Sequence, residues 1–305
     1  MLLSLIVPVY NEEKNLSLFF ERSHKVLESL LIPFEIIFIN DGSKDESLAL
    51  IKSFSKNYDS IRFIDLSRNF GHQIAVSAGL DYAKGDIVCI IDADLQDPPE
   101  LIRVMLDKLK KGYEVVYAKR KTRQGESVFK TWTAKMFYRI LSRLTTIEIP
   151  LDSGDFRLFD KKALDVIRQM PEKNKFLRGQ IAWAGFEQTY VEYDRDARHA
   201  GETGYNFRKM LRLALDGITS FSNAPLKLVT YFGVIVSVFA FIATLFVLYS
   251  IYVIKSFVPG WGSLLISILF IGGVQMIAIG IIGEYLSRMN QNLLNRPLYV
   301  VREKN

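Results

Sequence analysis

Short apolar runs alternate with helix-length stretches through the first 120 residues. Leu3–Val9 is a continuous apolar run, and Glu12–Leu31 follows with helix-like spacing. Phe34–Ile39 is a second strand, closed by Asn40-Asp41-Gly42-Ser43, and Lys44–Asn57 reads as helix. The alternation continues with strand Ile61–Leu66, helix His72–Ala83, strand Ile87–Ile91, helix Pro99–Lys111 and strand Glu114–Ala118. Strands this short and uniformly apolar are buried on both faces. The pattern therefore predicts an α/β fold with a mostly parallel sheet and helices on both sides. Ligands of such sheets bind beyond the carboxyl ends of the strands. No internal repeat or low-complexity tract is visible.

The pattern changes near residue 227. Lys227 and Lys255 bracket 27 residues without a charge, Leu228–Ile254, and a second uncharged run extends from Ser256 to Gly283. About 20 apolar residues span the ~30 Å hydrocarbon core of a bilayer. Pro259-Gly260 breaks the second run near its start, so two transmembrane helices are expected at about 229–254 and 263–286. The flanks are basic: Arg208, Lys209, Arg212 and Lys227 before, Arg288, Arg296, Arg302 and Lys304 after. Positive-inside bias puts both flanks, and hence both termini, in the cytoplasm. The expected division is a cytoplasmic domain at 1–226, a membrane segment at 227–287 and a cytoplasmic tail at 288–305, in a multi-pass protein of the inner (plasma) membrane. Met1–Tyr10 is apolar but lacks a basic leader, and Asn11-Glu12-Glu13 follows at once, which argues against a signal peptide.

Composition narrows the chemistry. One cysteine in 305 residues excludes a disulfide framework and any multi-cysteine metal site. The net charge of +6 suits an anionic membrane surface, and no nucleic-acid-binding module accompanies it. Neither a G-x-G-x-x-G after the first strand nor a G-x-x-x-x-G-K-[ST] is present, which argues against a dinucleotide or P-loop site.

Polar residues gather where the strands end: Pro8-Val9-Tyr10-Asn11-Glu12, Asp41-Gly42-Ser43, and Asp92-Ala93-Asp94-Leu95-Gln96-Asp97-Pro98-Pro99. Residues two apart on a strand share a face. Asp92 and Asp94 would then form a hard oxygen site for Mg²⁺ or Mn²⁺, with Gln96 adding a carbonyl. The alternative is an Asx-turn leading into the next helix.

These runs resemble family-2 glycosyltransferases, and within them the polyprenyl-phosphate branch: dolichol-phosphate mannose synthase and, closer, the bactoprenol glucosyltransferases. Further stretches carry the closer match: Ser67-Arg68-Asn69-Phe70-Gly71-His72-Gln73, Gly154-Asp155-Phe156-Arg157-Leu158, Arg198-His199-Ala200-Gly201-Glu202-Thr203 and Asn295-Arg296-Pro297-Leu298-Tyr299. The resemblance implies a nucleotide-diphospho-sugar transferase (GT-A) domain and an inverting, metal-dependent transfer. It implies that Pro8, Tyr10, Glu12 and Asp41 line the nucleotide site, that Asp92 lies by ribose and diphosphate, and that Asp94 and Gln96 hold the metal. The chain departs from the pattern at Gly204-Tyr205, where relatives often carry Lys before Tyr.

The expected reaction moves a hexose from a nucleotide-diphosphate sugar to a polyprenyl phosphate. UDP-glucose and undecaprenyl phosphate are the expected pair, GDP-mannose is the alternative donor, and modified arabinose and N-acetylhexosamine donors stay open. Such an acceptor is largely deprotonated at neutral pH, its second pKa being about 6, so cations matter more than a base. Arg120 and Arg123, after the fifth strand, are the main candidates for holding it, because guanidinium forks match phosphate. Lys130, Arg195 and Arg198 are weaker ones. Asp155 would orient a substrate, accept a residual proton, or simply form a turn. His72, at a helix start, reads as a structural cap or a substrate contact, and Cys89 as a buried apolar residue. Residues 130–144 and 207–221 are expected to be interfacial helices on anionic lipid, with an ordinary core-facing helix as the alternative for the first. A processive synthase is the less favoured reading, since Gln180-Ile181-Ala182-Trp183 only loosely echoes a Gln-x-x-Arg-Trp motif. A degenerate, non-enzymatic scaffold is the third. Relatives suggest a homo-oligomer.

Overall fold

The computed structural model describes residues 1–121, 153–194, 224–249, 253 and 260–305. Arg123, Lys130, Arg195, Arg198, Gly204 and the two expected interfacial helices lie outside these.

Strands β1 (Leu3–Val9), β2 (Phe34–Asn40), β3 (Ile61–Leu66), β4 (Ile87–Ile90) and β5 (Val115–Arg120) alternate with helices α1 (Glu13–Glu28), α2 (Ser47–Asn57), α3 (His72–Tyr82) and α4 (Leu101–Lys110). This is the alternation expected, with ends shifted by a few residues. Three strands were not foreseen: β6 (Ser153–Asp160), β7 (Gln188–Tyr193) and β8 (Val301–Lys304). Helices α5 (Lys161–Gln169) and α6 (Leu177–Trp183) stand between β6 and β7. All eight strands form one sheet in the order β7-β5-β6-β4-β1-β2-β3-β8. The pairs β1–β2, β1–β4, β2–β3 and β5–β7 are parallel, while β6 runs antiparallel to β4 and β5, and β8 to β3. The sheet is thus mostly parallel but mixed.

The side-chain period of two splits the core across it. Leu3, Leu5, Val7 and Val9 of β1 pack with Leu16 and Phe19 of α1, Ile51 of α2 and Met105 of α4. Ile6 joins Ile37 and Ile39 of β2 on the opposite face, against Ala75 and Val76 of α3 and Leu164 of α5. Cys89 is buried among the first group, and burial pushes its thiol up. That inert reading matches the sequence.

Past the sheet lie α7 (Ala224–Tyr249) and α8 (Trp261–Leu293). Among the described residues, one helical stretch is long and apolar enough to cross a membrane, the 24-residue Phe270–Leu293. Helix α8 begins at Trp261 and runs beyond the expected end of the second span, continuing unbroken past Glu284, which pairs with Arg288 one turn on at 2.9 Å. The apolar stretch Ala224–Val236 in α7 is shorter. The remainder of the expected first span runs into residues outside the description. Large apolar side chains such as Phe239, Phe246, Met276 and Ile277 are exposed along both helices, more than a water-facing surface ordinarily carries.

Candidate functional site

The parallel strands bring the ends of β1, β2, β4 and β5 to one rim. Because β6 runs the other way, its first residues arrive at the same rim. Ile90 pairs with Arg157, and His72 lies against both Asp92, just past the end of β4, and Asp155 of β6.

The first two loops are tied together. Asn11, at φ 56°, donates its N–H to the Ser43 hydroxyl at 3.0 Å and accepts at Oδ1 from the Lys44 N–H at 2.8 Å. Glu12 caps α1 and accepts from the Asn15 amide at 2.7 Å, while its own N–H donates to Ser47. Pro8 is buried inside β1, and Tyr10 is exposed at the rim. Gly42 has φ +66°, and a Cβ there would come within 2.6 Å of the Arg68 carbonyl carbon and the Asn69 nitrogen. No side chain fits so close an approach.

Asp41 was expected to line the nucleotide site. Its two carboxylate oxygens accept from the N–H groups of Phe70 and Gly71, at 2.7 and 2.9 Å. Burial pushes its carboxyl up, against the pull of those two amides. In this geometry Asp41 holds the loop that leads into α3.

Asp92 and Asp94 do not share a strand face, since β4 ends at Ile90. They sit in a turn, with Leu95 at φ 60° and the Gln96 N–H donating to Asp94 Oδ1 at 3.2 Å. The turn chemistry that read as an alternative to the carboxylate pair is present and is what brings the pair to the rim. Carboxylates at 92 and 94 with the amide oxygen of Gln96 are an all-oxygen donor set, which fits Mg²⁺ or Mn²⁺. Among the described residues no three His, Cys, Asp or Glu cluster tightly enough to hold a metal by themselves.

His72 does not cap its helix with its side chain; Gly71 occupies the N-cap at φ 102°. The ring lies between two carboxylates, Nε2 at 2.8 Å from Asp92 Oδ1 and Nδ1 at 3.6 Å from Asp155 Oδ2. Partial burial disfavours the imidazolium, but the charge and hydrogen bond of Asp92, then the charge of Asp155, outweigh it and raise the pKa to about 9. Asp155 also accepts from Arg178 Nε at 2.8 Å and from the Gln73 amide at 3.3 Å. Burial opposes its charge, yet Arg178 and His72 hold its carboxyl well below the usual carboxylate range. Arg157, buried beneath, has its pKa lowered to about 10 by burial and donates to the Gly154 carbonyl at 3.0 Å.

Arg120 is the last residue of β5 rather than part of the following loop, and it lies across from Tyr193 of β7. Burial and the adjoining Asp97 carboxylate push the Tyr193 phenol up. Lys119 pairs with Glu192 at 3.3 Å and Lys121 with Asp194 at 4.0 Å, both on the surface. The site therefore joins His72, Asp92, Asp155 and Arg120 from the sequence reading with four residues to which that reading gave no role: Gln73, Asp97, Arg178 and Tyr193. Gln73 and Asp97 stood inside quoted motifs. Arg178 gave no local signal, for its partner is 23 residues away on another element.

Comparison with known proteins gives the family. Residues 4–168 match the family model described as glycosyl transferase family 2. The chain belongs to that family. This family-2 glycosyltransferase is similar over nearly its whole length to curated proteins. It is 49% identical to YkcC of Bacillus subtilis (strain 168), named an uncharacterized glycosyltransferase, over 98% of this chain and 93% of that one. It is 40% identical to a prophage bactoprenol glucosyl transferase homolog of Escherichia coli (strain K12), over 99% of both. A Shigella phage SfII protein named bactoprenol glucosyl transferase is likewise 40% identical, over 99% of this chain and 98% of that one. Among solved structures, mannosyl-3-phosphoglycerate synthase from Rubrobacter xylanophilus overlays with a TM-score of 0.50 at 16% identity, covering 71% of each chain. That likeness concerns the fold, which is GT-A-like.

Proposed function

We propose that this glycosyltransferase moves one glucose from UDP-glucose to a polyprenyl phosphate, undecaprenyl phosphate in a bacterium, with inversion at the sugar. The observation that carries the reading is the state of Asp155. Held by Arg178, Gln73 and His72, its carboxylate is a poor proton acceptor at neutral pH. A sugar hydroxyl would need a general base, whereas a phosphate monoester arrives already ionised. The rim offers such an acceptor cations instead: Arg120, Arg178 and His72, which would hold two anions together. The names of the curated relatives support the lipid acceptor and the glucosyl group.

Pro8, Tyr10, Glu12 and Asp92 would surround the nucleotide, with Asp41 behind them holding the loop into α3. Asp94, Gln96 and Asp92 would hold Mg²⁺ or Mn²⁺ through their oxygens. When bound, the metal offsets negative charge on the nucleoside diphosphate as it leaves. Asp155 orients the substrates. Arg120 grips the acceptor phosphate, helped by Arg123, Lys130, Arg195 and Arg198. The domain at 1–226 would lie on the cytoplasmic side, below two spans near 229–254 and 263–286, with helices near 130–144 and 207–221 at the lipid surface and the tail at 288–305 cytoplasmic. The protein would act as a homo-oligomer.

A donor screen tests this. The full chain in detergent is incubated with undecaprenyl phosphate, Mg²⁺ or Mn²⁺, and labelled UDP-glucose, GDP-mannose or other nucleotide sugars. The expectation is EDTA-sensitive label in the organic phase from UDP-glucose, one sugar per lipid, and near-total loss in Asp94→Ala. Transfer from GDP-mannose alone would replace the donor. A polymeric product would replace the reading with a processive synthase, and full activity in Asp94→Ala would sink the metal assignment.

A further inference from the structure

Asp97 and Tyr193 form a buried pair beside Arg120. Asp97 is 2% exposed, and its carboxylate accepts the Tyr193 phenol proton in a hydrogen bond. The phenol oxygen accepts in turn from Arg120 Nε at 3.3 Å. Arg120 Nη2 stands 3.9 Å from Asp97 Oδ1, at the outer limit of an ion pair. Tyr193 and Arg120 are register partners on the parallel strands β7 and β5, so both side chains leave the sheet on one face. Gly154 makes room: a Cβ there would lie 3.3 Å from Arg120 Nη2 and 3.8 Å from Asp97 Oδ2.

We propose that Asp97 and Tyr193 are positioning residues that aim the Arg120 guanidinium at the acceptor phosphate. A direct bidentate Asp97–Arg120 pair would use up the fork that a phosphate needs. Placing a phenol between them anchors the guanidinium through Nε and sets the Nη edge apart from the carboxylate. The buried negative charge still favours the cation, and the long side chain is ordered before the substrate arrives, which lowers the cost of binding. Gly154 is the third part of the device, since a Cβ there would press on Arg120 Nη2 and shift the guanidinium by a few tenths of an ångström. The inference rests on the lipid-phosphate reading for its substrate.

The test is binding and kinetics on the full chain in detergent, with thermal melts to verify folding. Geranyl phosphate, a short phosphate monoester, is titrated into wild type and Tyr193→Phe, and KM is measured for undecaprenyl phosphate and for UDP-glucose. Tyr193→Phe is expected to weaken geranyl phosphate binding and to raise the acceptor KM about tenfold each. The donor KM should stay within about twofold of wild type. Asp97→Asn, which still accepts from the phenol, should lose less than Asp97→Ala. If Tyr193→Phe does not fold, Gly154→Ala carries the same expectation. Folded Tyr193→Phe that binds geranyl phosphate like wild type, or wild type that binds none, overturns the proposal. Weakened binding together with a wild type that transfers no sugar would overturn the glucosyl reading and leave this one standing.

Discussion

Asp155 has a charged or amide partner on three sides, and none of them is its sequence neighbour. Arg178, Gln73 and His72 come from helices 23, 82 and 83 residues away. The turn-like context of Gly154-Asp155 therefore left its role open between orientation and proton transfer. The depressed carboxyl gives a signed expectation. A group whose folded pKa lies below its unfolded value gives its full stabilisation above that unfolded value, starts to lose it as pH falls below it, and loses it wholly only past the folded pKa. Asp155→Asn should cost about 2 kcal/mol at pH 7, and the gap to wild type should begin to narrow below about pH 4. Melts across that range check it; a gap that stays constant with pH would show that the carboxylate's charge is not what matters. Turnover has its own signature. If the acceptor phosphate must be ionised, kcat/KM for the lipid rises through about pH 6, and the limb persists in Asp155→Asn. Loss of the limb in that variant would instead make Asp155 the base.

The strands that sequence periodicity missed are the ones that build half of the site. β1 to β4 are apolar, regular and followed by helices, so they were readable. β6 reads Ser153-Gly154-Asp155-Phe156-Arg157, with a carboxylate and a guanidinium where a buried strand would carry valine or isoleucine. It is a strand because β4 and β5 pair with it on both edges, and its charged groups have partners there, Asp155 with Arg178 and Arg157 with the Gly154 carbonyl. β8 is polar and only four residues long. It is fixed from outside: Glu303 meets Lys52 at 2.5 Å, Tyr299 donates to Asp81 at 2.8 Å, and Arg302 donates to the Ser67 carbonyl at 2.7 Å. It covers the edge of β3 and starts beside the loop that Asp41 holds. Removing residues 296–305 should lower the unfolding free energy by about 2 kcal/mol or more, read as a drop in melting temperature in detergent. An unchanged melt would mean that the edge is protected in some other way.

At the scale of the molecule, the rim proposed to take a sugar nucleotide belongs to the same chain as the exposed apolar helices α7 and α8. The cytoplasmic end expected for α8 touches the domain directly: the Lys173 N–H donates to Asn292 Oδ1 at 3.1 Å, and Asn174 approaches Gln291 at 3.4 Å. Orientation is open to a labelling test, because the lone cysteine, Cys89, is buried and gives little background. In intact cells an impermeant maleimide is expected to label Ser256→Cys, in the loop between the expected spans. Leu31→Cys, at a position 92% exposed on the domain, should label only after permeabilisation. The reverse pattern would invert the topology, and labelling of both in intact cells would remove the first span, which lies between the two positions.

The sequence by itself determined the α/β alternation, the rim as the place for a ligand, the carboxylate run at 92–97 and the apolar C-terminal third. Each of these follows from local periodicity or from residues close together in the chain, which one chain read in order displays. Tertiary structure decided which groups meet. It turned Asp41 toward a loop, set His72 between two carboxylates, added β6 against the direction of its neighbours, and placed Tyr193 between Asp97 and Arg120. Those contacts depend on strand order and register, set by how side chains pack across the whole sheet, and no stretch of sequence carries that information alone.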